Sequence, residues 1–188
     1  MQRTRIRASE KKLRELILLI SEWSQDDPKF GAIKLTKLLF YCDFSAYLTY
    51  GNPITGQKYF ALPEGPAPRQ MVPITAKMKK SEELAYQEFS YFGYQQKRPI
   101  ALRSANVSEF TAEQIMLVKR TVGKFWNMNA AEISGQSHLF LGWEIARKKE
   151  TIPYSTALVG RRTPTPEEQR RGLKLQSLAE KHLGHARA

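Results

Sequence analysis

Apolar residues recur at helical spacing over the first fifty positions of this chain. Leu13, Leu16, Ile17, Ile20 and Trp23 fall at steps of three and four, so Ser9 to Trp23 reads as an amphipathic helix. Ser9 is placed to cap it, Lys11, Lys12, Arg14 and Glu15 lie off its stripe, and Gln25-Asp26-Asp27-Pro28 ends it. Leu35, Leu38, Leu39, Cys42 and Ala46 repeat the period, while Phe40, Tyr41, Phe44, Tyr47 and Leu48 fill much of the remaining circumference. A helix apolar nearly all round is buried on several sides, so Leu35–Tyr50 is expected at the centre of the fold. Gly51 supplies its left-handed stop. Lys34, Lys37 and Asp43 are its only charges. Asp43, set among aromatics, is expected to cap a neighbouring backbone or to pair with a lysine.

The period then changes. Gly51-Asn52-Pro53 and Gly56 mark a turn, and Tyr59–Leu62 reads as a short strand stopped by a rigid Pro63-Glu64-Gly65-Pro66-Ala67-Pro68 loop. Arg69–Lys80 reads as a helix broken at Pro73. Tyr86–Tyr94 alternates in part, and Arg98–Arg103 is expected to pair with it as a hairpin. Together with Tyr59–Leu62 they would form one small antiparallel sheet. Tyr91, Phe92 and Tyr94 could stack on nucleic-acid bases, but packing on the central helix is the preferred reading.

Thr111 and Gln114 form a capping box before the stripe Ile115, Val118, Val122 and Phe125, with Phe110 and Ile115 as its hydrophobic staple. Asn129 and Glu132 repeat the device for a short helix ending near Gly135. A further helix is expected from Ser137 to Lys149, with Pro153 at its exit. The fold class expected is α+β: a mainly helical single domain with a small antiparallel β-sheet packed on a buried central helix. It should occupy residues 1–160. Residues 161–188 read as a basic linker and a helical tail that starts at Thr165-Pro166 and carries a thin stripe of Leu175, Leu178 and Ala179.

Composition narrows the function more than the fold. The 188 residues carry a net charge of +12. Residues 1–14 hold six Lys/Arg against one acidic group, and residues 161–188 hold seven against three, so the ends carry most of that excess. Such ends attract any polyanion, nucleic acid or acidic protein, without sequence information. Cys42 is the only cysteine, which rules out an internal disulfide and suits a reducing cytoplasm. No apolar run approaches the ~20 residues of a membrane span, and the basic N-terminus lacks the apolar core of a signal peptide, so no membrane association is expected.

Catalytic chemistry finds little support. Cys42 sits in an apolar run, the wrong setting for a thiolate. The three histidines, His138, His182 and His185, supply no recognisable zinc spacing, and the phosphate-binding glycine motifs are absent. Asp26 and Asp27 read as turn residues rather than metal ligands. No catalytic residue, metal or cofactor is expected. One alternative is better motivated. Ala131, Gly135 and Leu141 have the spacing of a helix-turn-helix, which would aim Gln136, Ser137 and His138 at base edges and Arg147 and Lys148 at phosphates.

The strongest signal is a set of short motifs in fixed order: K-L-x-K-L-L-F-Y-x-D-F at 34–44, Y-G-x-P-I-T-G at 50–56, then Tyr59, Ala61 and P-x-G-P-x-P at 63–68. A second block holds Ser137-His138, Trp143 and Ile152-Pro153-Tyr154, with Leu141-Gly142 where an acidic residue and proline are usual. In these motifs the chain resembles the Panacea domain family of SocA-like antitoxins. The resemblance implies an antitoxin that neutralises a cognate protein toxin, encoded by an adjacent gene, through direct contact. A further mode, delivery of the toxin to a bacterial protease, is equally compatible with it. The proline-stiffened loop, through Pro63, Gly65, Pro66 and Arg69, is one candidate partner surface, because a preset backbone loses less entropy on docking. The aromatic hairpin at Tyr91 and the C-terminal helix compete with it.

Overall fold

The computed structural model describes residues 6–91, 94–160 and 165–184; the side chains of Tyr91, Tyr94, Gln176 and residues 178–184 fall outside the described set. Seven α-helices and five strands follow in the order α1 (Glu10–Trp23), α2 (Ala32–Tyr50), β1 (Tyr59–Leu62), β2 (Gly65–Pro68), α3 (Met71–Lys80), β3 (Leu84–Tyr91), β4 (Tyr94–Ala101), α4 (Ala112–Lys124), α5 (Ala130–His138), α6 (Leu141–Glu144), β5 (Thr151–Ile152) and α7 (Pro166–Gly184) among the described residues. The fold is α+β, as the sequence pattern indicates.

Helix α2 is the axis. Leu35, Leu38, Leu39, Cys42 and Ala46 are fully buried, and α1, α4 and α5 pack around them through Leu16, Ile17, Ile20, Leu117, Val118, Val122 and Ile133. Gly51 ends α2 with φ +75 and donates its N–H to Tyr47 O, the left-handed stop the sequence indicates. Ser9 caps α1, and both capping boxes, Thr111/Gln114 and Asn129/Glu132, are formed.

The strands differ from expectation. Tyr59–Leu62 does not join the aromatic hairpin. It pairs with β2 on one side and β5 on the other, giving the order β2-β1-β5, while β3 and β4 form a separate two-stranded sheet. The stretch expected as a proline-rich loop is a two-residue turn, Pro63-Glu64, followed by a strand whose register runs from Leu62↔Gly65 to Tyr59↔Pro68. Prolines suit this strand because of the hydrogen-bond alternation. Arg69 donates its N–H to Lys58 O at 2.8 Å. Bonded and unbonded positions alternate along an antiparallel pair, so Pro66 and Pro68 occupy sites whose N–H would point away from β1. Proline removes a donor that the interior could not satisfy.

Other expectations are corrected by local physics. Pro73 does not break its helix: it is the third residue of α3, within the first turn, where the N–H lacks an intrahelical partner anyway. The second strand of the aromatic hairpin starts at Tyr94, not Arg98, because the pairing with β3 already begins at Tyr91↔Tyr94. Glu15 is buried, 6% exposed, held by the two terminal guanidinium nitrogens of Arg103 and by the Asn106 N–H. Those bonds hold its carboxyl below the usual range. Asp27 is more than a turn residue; it forms a buried ion pair with Lys34 at 2.5 Å. Helix α5 runs through Gly135 to His138, and the expected helix from Ser137 to Lys149 reduces to one turn at Leu141–Glu144. The helix-turn-helix expected at Ala131–Leu141 is therefore not formed: Gly135 sits inside a helix, and the helix that follows, Leu141–Glu144, is too short to lie in a groove. The linker residues at 161–164 and the extreme ends of the chain lie outside the described residues.

Candidate functional site

The three charges of α2 all point inward, each holding irregular backbone in place. Lys34 Nζ bonds Asp27 Oδ2 and Met128 O at 2.8 Å, tying the α1–α2 connection to the turn before α5. Burial pushes the Lys34 ammonium down and the Asp27 carboxylate opposes it. Lys37, one helical turn on, is 2% exposed and donates to Pro66 O at 3.2 Å. This carbonyl faces away from β1, so Lys37 supplies the partner that β1 cannot. Burial lowers its pKa to about 8, with Glu64 pulling the other way. Asp43 is fully buried and accepts from Thr55 N at 2.6 Å, from Thr55 Oγ1 and from Tyr59 OH at 2.8 Å, while Tyr154 OH, 3.4 Å away, donates its one proton to Gln57 O at 2.6 Å. Burial pushes its carboxyl up against these donors, and it pushes the Tyr59 and Tyr154 phenols up as well. The expected cap of a neighbouring backbone is thus formed, without a lysine partner.

Above Lys37 the hairpin tip meets α5 and α6. Gly65 takes φ +96. A Cβ there would collide with Ser137 Oγ and come within 3.0 Å of Lys37 Nζ, so only glycine lets strand and helix approach this closely. Trp143 Nε1 donates to Leu62 O at 2.9 Å. Its indole stacks on His138, with ring centroids 4.0 Å apart and planes 13° apart. Next to it lies an open crevice of about 200 Å³ between the hairpin tip and the Glu144–Lys148 segment.

This geometry brings together residues expected to serve different functions. Pro63, Gly65 and Pro66, read as partner-binding, meet Ser137, His138 and Lys148, read as base- or phosphate-contacting, on one face. Within it, Gly65, Pro66 and Ser137 are buried and shape the interior, while Pro63, Arg147 and Lys148 are exposed. Gln136 is exposed on α5. Arg69 lies at the far end of the hairpin, its guanidinium 5.5 Å from the centre of the Phe60 ring. The Tyr91 side chain is outside the described residues. Sequence reading missed Lys34, Lys37 and Trp143 as structural contacts. The signal was present in two lysines at i and i+3 on an otherwise apolar helix, since charges in such a place must find buried partners. Among the described residues, no three His, Cys, Asp or Glu side chains converge as a metal site, and no helix is long and apolar enough to cross a membrane.

A family model described as "Antitoxin SocA-like, Panacea domain" matches residues 35–144, from the first turn of α2 to the end of α6 and well over half of the chain. The match encloses Lys37, Asp43, the β1–β2 hairpin and the Ser137–Trp143 segment. No curated protein and no solved structure matches the chain.

Proposed function

Because the chain belongs to the SocA-like antitoxin family with its Panacea domain, we propose that it is the antitoxin of a toxin–antitoxin pair and neutralises a cognate toxin by direct protein–protein contact. The family match over residues 35–144 is the observation that carries this reading. The site supports it in kind. The buried polar groups of α2 are spent on holding backbone, and what the hairpin face offers outward is a rigid surface. Residues 1–160 are read as the functional unit, acting in the cytoplasm without catalysis, with the tail from 161 as an accessory.

Pro63 at the tip and Arg69 at the open end are the toxin-facing candidates, with Tyr91 on the second hairpin as a competing surface. Gly65 and Pro66 are read as their support. The test is co-expression with the protein encoded next door. That neighbour alone should arrest growth, and this chain should restore it. Rescue with toxin levels maintained indicates masking, whereas rescue with toxin disappearing indicates delivery to a protease. A harmless neighbour, or a toxic one that this chain leaves unopposed, would sink the proposal. Pro63→Arg and Arg69→Glu then ask which end of the hairpin matters. Gly65→Trp cannot ask it, because the collision with Ser137 would disturb the fold itself.

A further inference from the structure

The crevice at the hairpin tip is walled by Ala61, Leu62, Pro63, Trp143 and Ala146. Its indole wall is fixed in advance, bonded to Leu62 O on its edge and covered by His138 on one face. A wall already in its bound rotamer costs a ligand less ordering entropy. Glu144 and Lys148 form the polar rim.

Lys148 of the rim is flanked along the chain by Arg147 and Lys149; all three are exposed, and none lies within ion-pair distance of a carboxylate among the described residues. Their backbone is pinned. Lys149 donates its N–H to Ala61 O at 2.8 Å, Glu150 O accepts from Ala61 at 3.0 Å, and the Glu150 carboxylate accepts the Arg147 N–H at 2.8 Å. Lys149 is held at φ +65, a conformation a lysine adopts only at a cost in energy. Such outliers persist where the surroundings enforce them, and they gather at binding sites. The result is an arc of three consecutive cations on a pinned backbone, without an ion-pair partner among the described residues, with Lys148 at the edge of the apolar slot.

We propose that this crevice and the Arg147–Lys149 arc form the docking point for an acidic segment of the toxin that inserts one apolar side chain; the proposal rests on the antitoxin reading above. Charge complementarity selects the acidic flanks, and the apolar walls select a protein segment over a nucleic acid, whose phosphates would engage the arc and leave the slot unfilled.

Two measurements test it on the full chain. In the first, acetyl-Asp-Leu-Glu-amide is titrated into labelled protein while the indole N–H signals of Trp23, Trp126 and Trp143 are followed. The Trp143 signal should move progressively and the other two should not. Acetyl-Lys-Leu-Lys-amide should bind at least about tenfold more weakly, and Lys148→Glu should abolish the response. Equal response to both peptides, or a Trp143 response to a short DNA duplex alone, overturns the proposal. In the second, the toxic neighbour is co-expressed with the Arg147→Glu/Lys148→Glu variant. Weakened rescue, with at least about a tenfold rise in Kd for the purified pair, supports the docking point. Full rescue by this variant removes the docking point and leaves the antitoxin reading standing. Failure of the unaltered chain to rescue overturns both.

Discussion

The two hairpins of this protein share a topology and little else. The β1–β2 pair is four residues long on each side, pressed against α2, and fastened from the core side: Lys37 and Trp143 donate to its main chain at Pro66 O and Leu62 O, and Asp43 accepts from the Tyr59 hydroxyl. The β3–β4 pair is eight residues long on each side and is fastened from outside. Gln96 donates to Phe30 O at 3.0 Å, Arg98 reaches the carbonyls of Ser24 and Gln25, and Arg103 bridges Glu15 and Glu83. Gln87, Glu88, Phe89 and Ser90 on its outer half are exposed. In the first hairpin Lys37 answers a carbonyl that burial would otherwise leave unsatisfied. In the second, long side chains do much of the fastening, alongside Leu84, which is buried in the main core.

Substitutions can break or sharpen the contrast. The largest effect belongs to Gly65→Trp, which should give no soluble folded protein, because the position demands a positive φ and any Cβ meets Ser137. Soluble yield and circular dichroism decide it; a stable variant would mean that the hairpin does not sit as described. Asp43→Ala follows, with an expected loss of about 3 kcal/mol in denaturant unfolding, since the Thr55 N–H and hydroxyl would lose their acceptor inside the core, while Tyr59 and Tyr154 keep Leu39 O and Gln57 O.

Lys37→Met tests the clamp through pH. Below about 8 the amine is charged in both folded and unfolded chains, and between about 8 and its ordinary 10.5 only the unfolded chain retains the proton. Lys37 therefore contributes stability that rises with pH across that window, by about 2 kcal/mol from pH 8 to pH 10. The Cys42 thiol from about pH 9 and the tyrosines above pH 10 work against it, ionising in the unfolded chain while Cys42, Tyr59 and Tyr154 stay protonated in the fold. Urea melts of both proteins from pH 7 to 10.5 isolate the Lys37 share: the parent should gain about 2 kcal/mol relative to Lys37→Met between pH 8 and pH 10, and parallel curves would remove the clamp. The smallest effect is expected on the other hairpin, where Phe89→Ser at a 40% exposed position should change stability by no more than about 0.5 kcal/mol. A loss as large as that of Asp43→Ala would erase the distinction between the two hairpins.

Elements defined by local chemistry were legible in the sequence. The caps of α1, α4 and α5, the Gly51 stop and the bounds of β1 depend on neighbours within a few residues, and they stand where the pattern puts them. What the pattern could not supply was partnership at long range. Nothing local to Tyr59–Leu62 says that its partners are a proline strand and a two-residue strand some ninety positions away. Nothing around Gly135 says whether it ends a helix or passes through one. The helical period marked α2 as central, yet it counted Lys34 and Lys37 as interruptions, because a periodicity scores polar residues without asking what they satisfy. The site was half legible for the same reason: its residues were named in two separate sets, and only the fold puts Gly65 against Ser137.

The lone thiol of Cys42 offers a way to watch all of this move. It is sealed at the midpoint of α2, and burial raises its pKa far above that of a free cysteine. An alkylating reagent can reach it only when the helices around it part. The pace of labelling thus becomes a clock for core opening, and the capture of a partner that tightens the core would slow it.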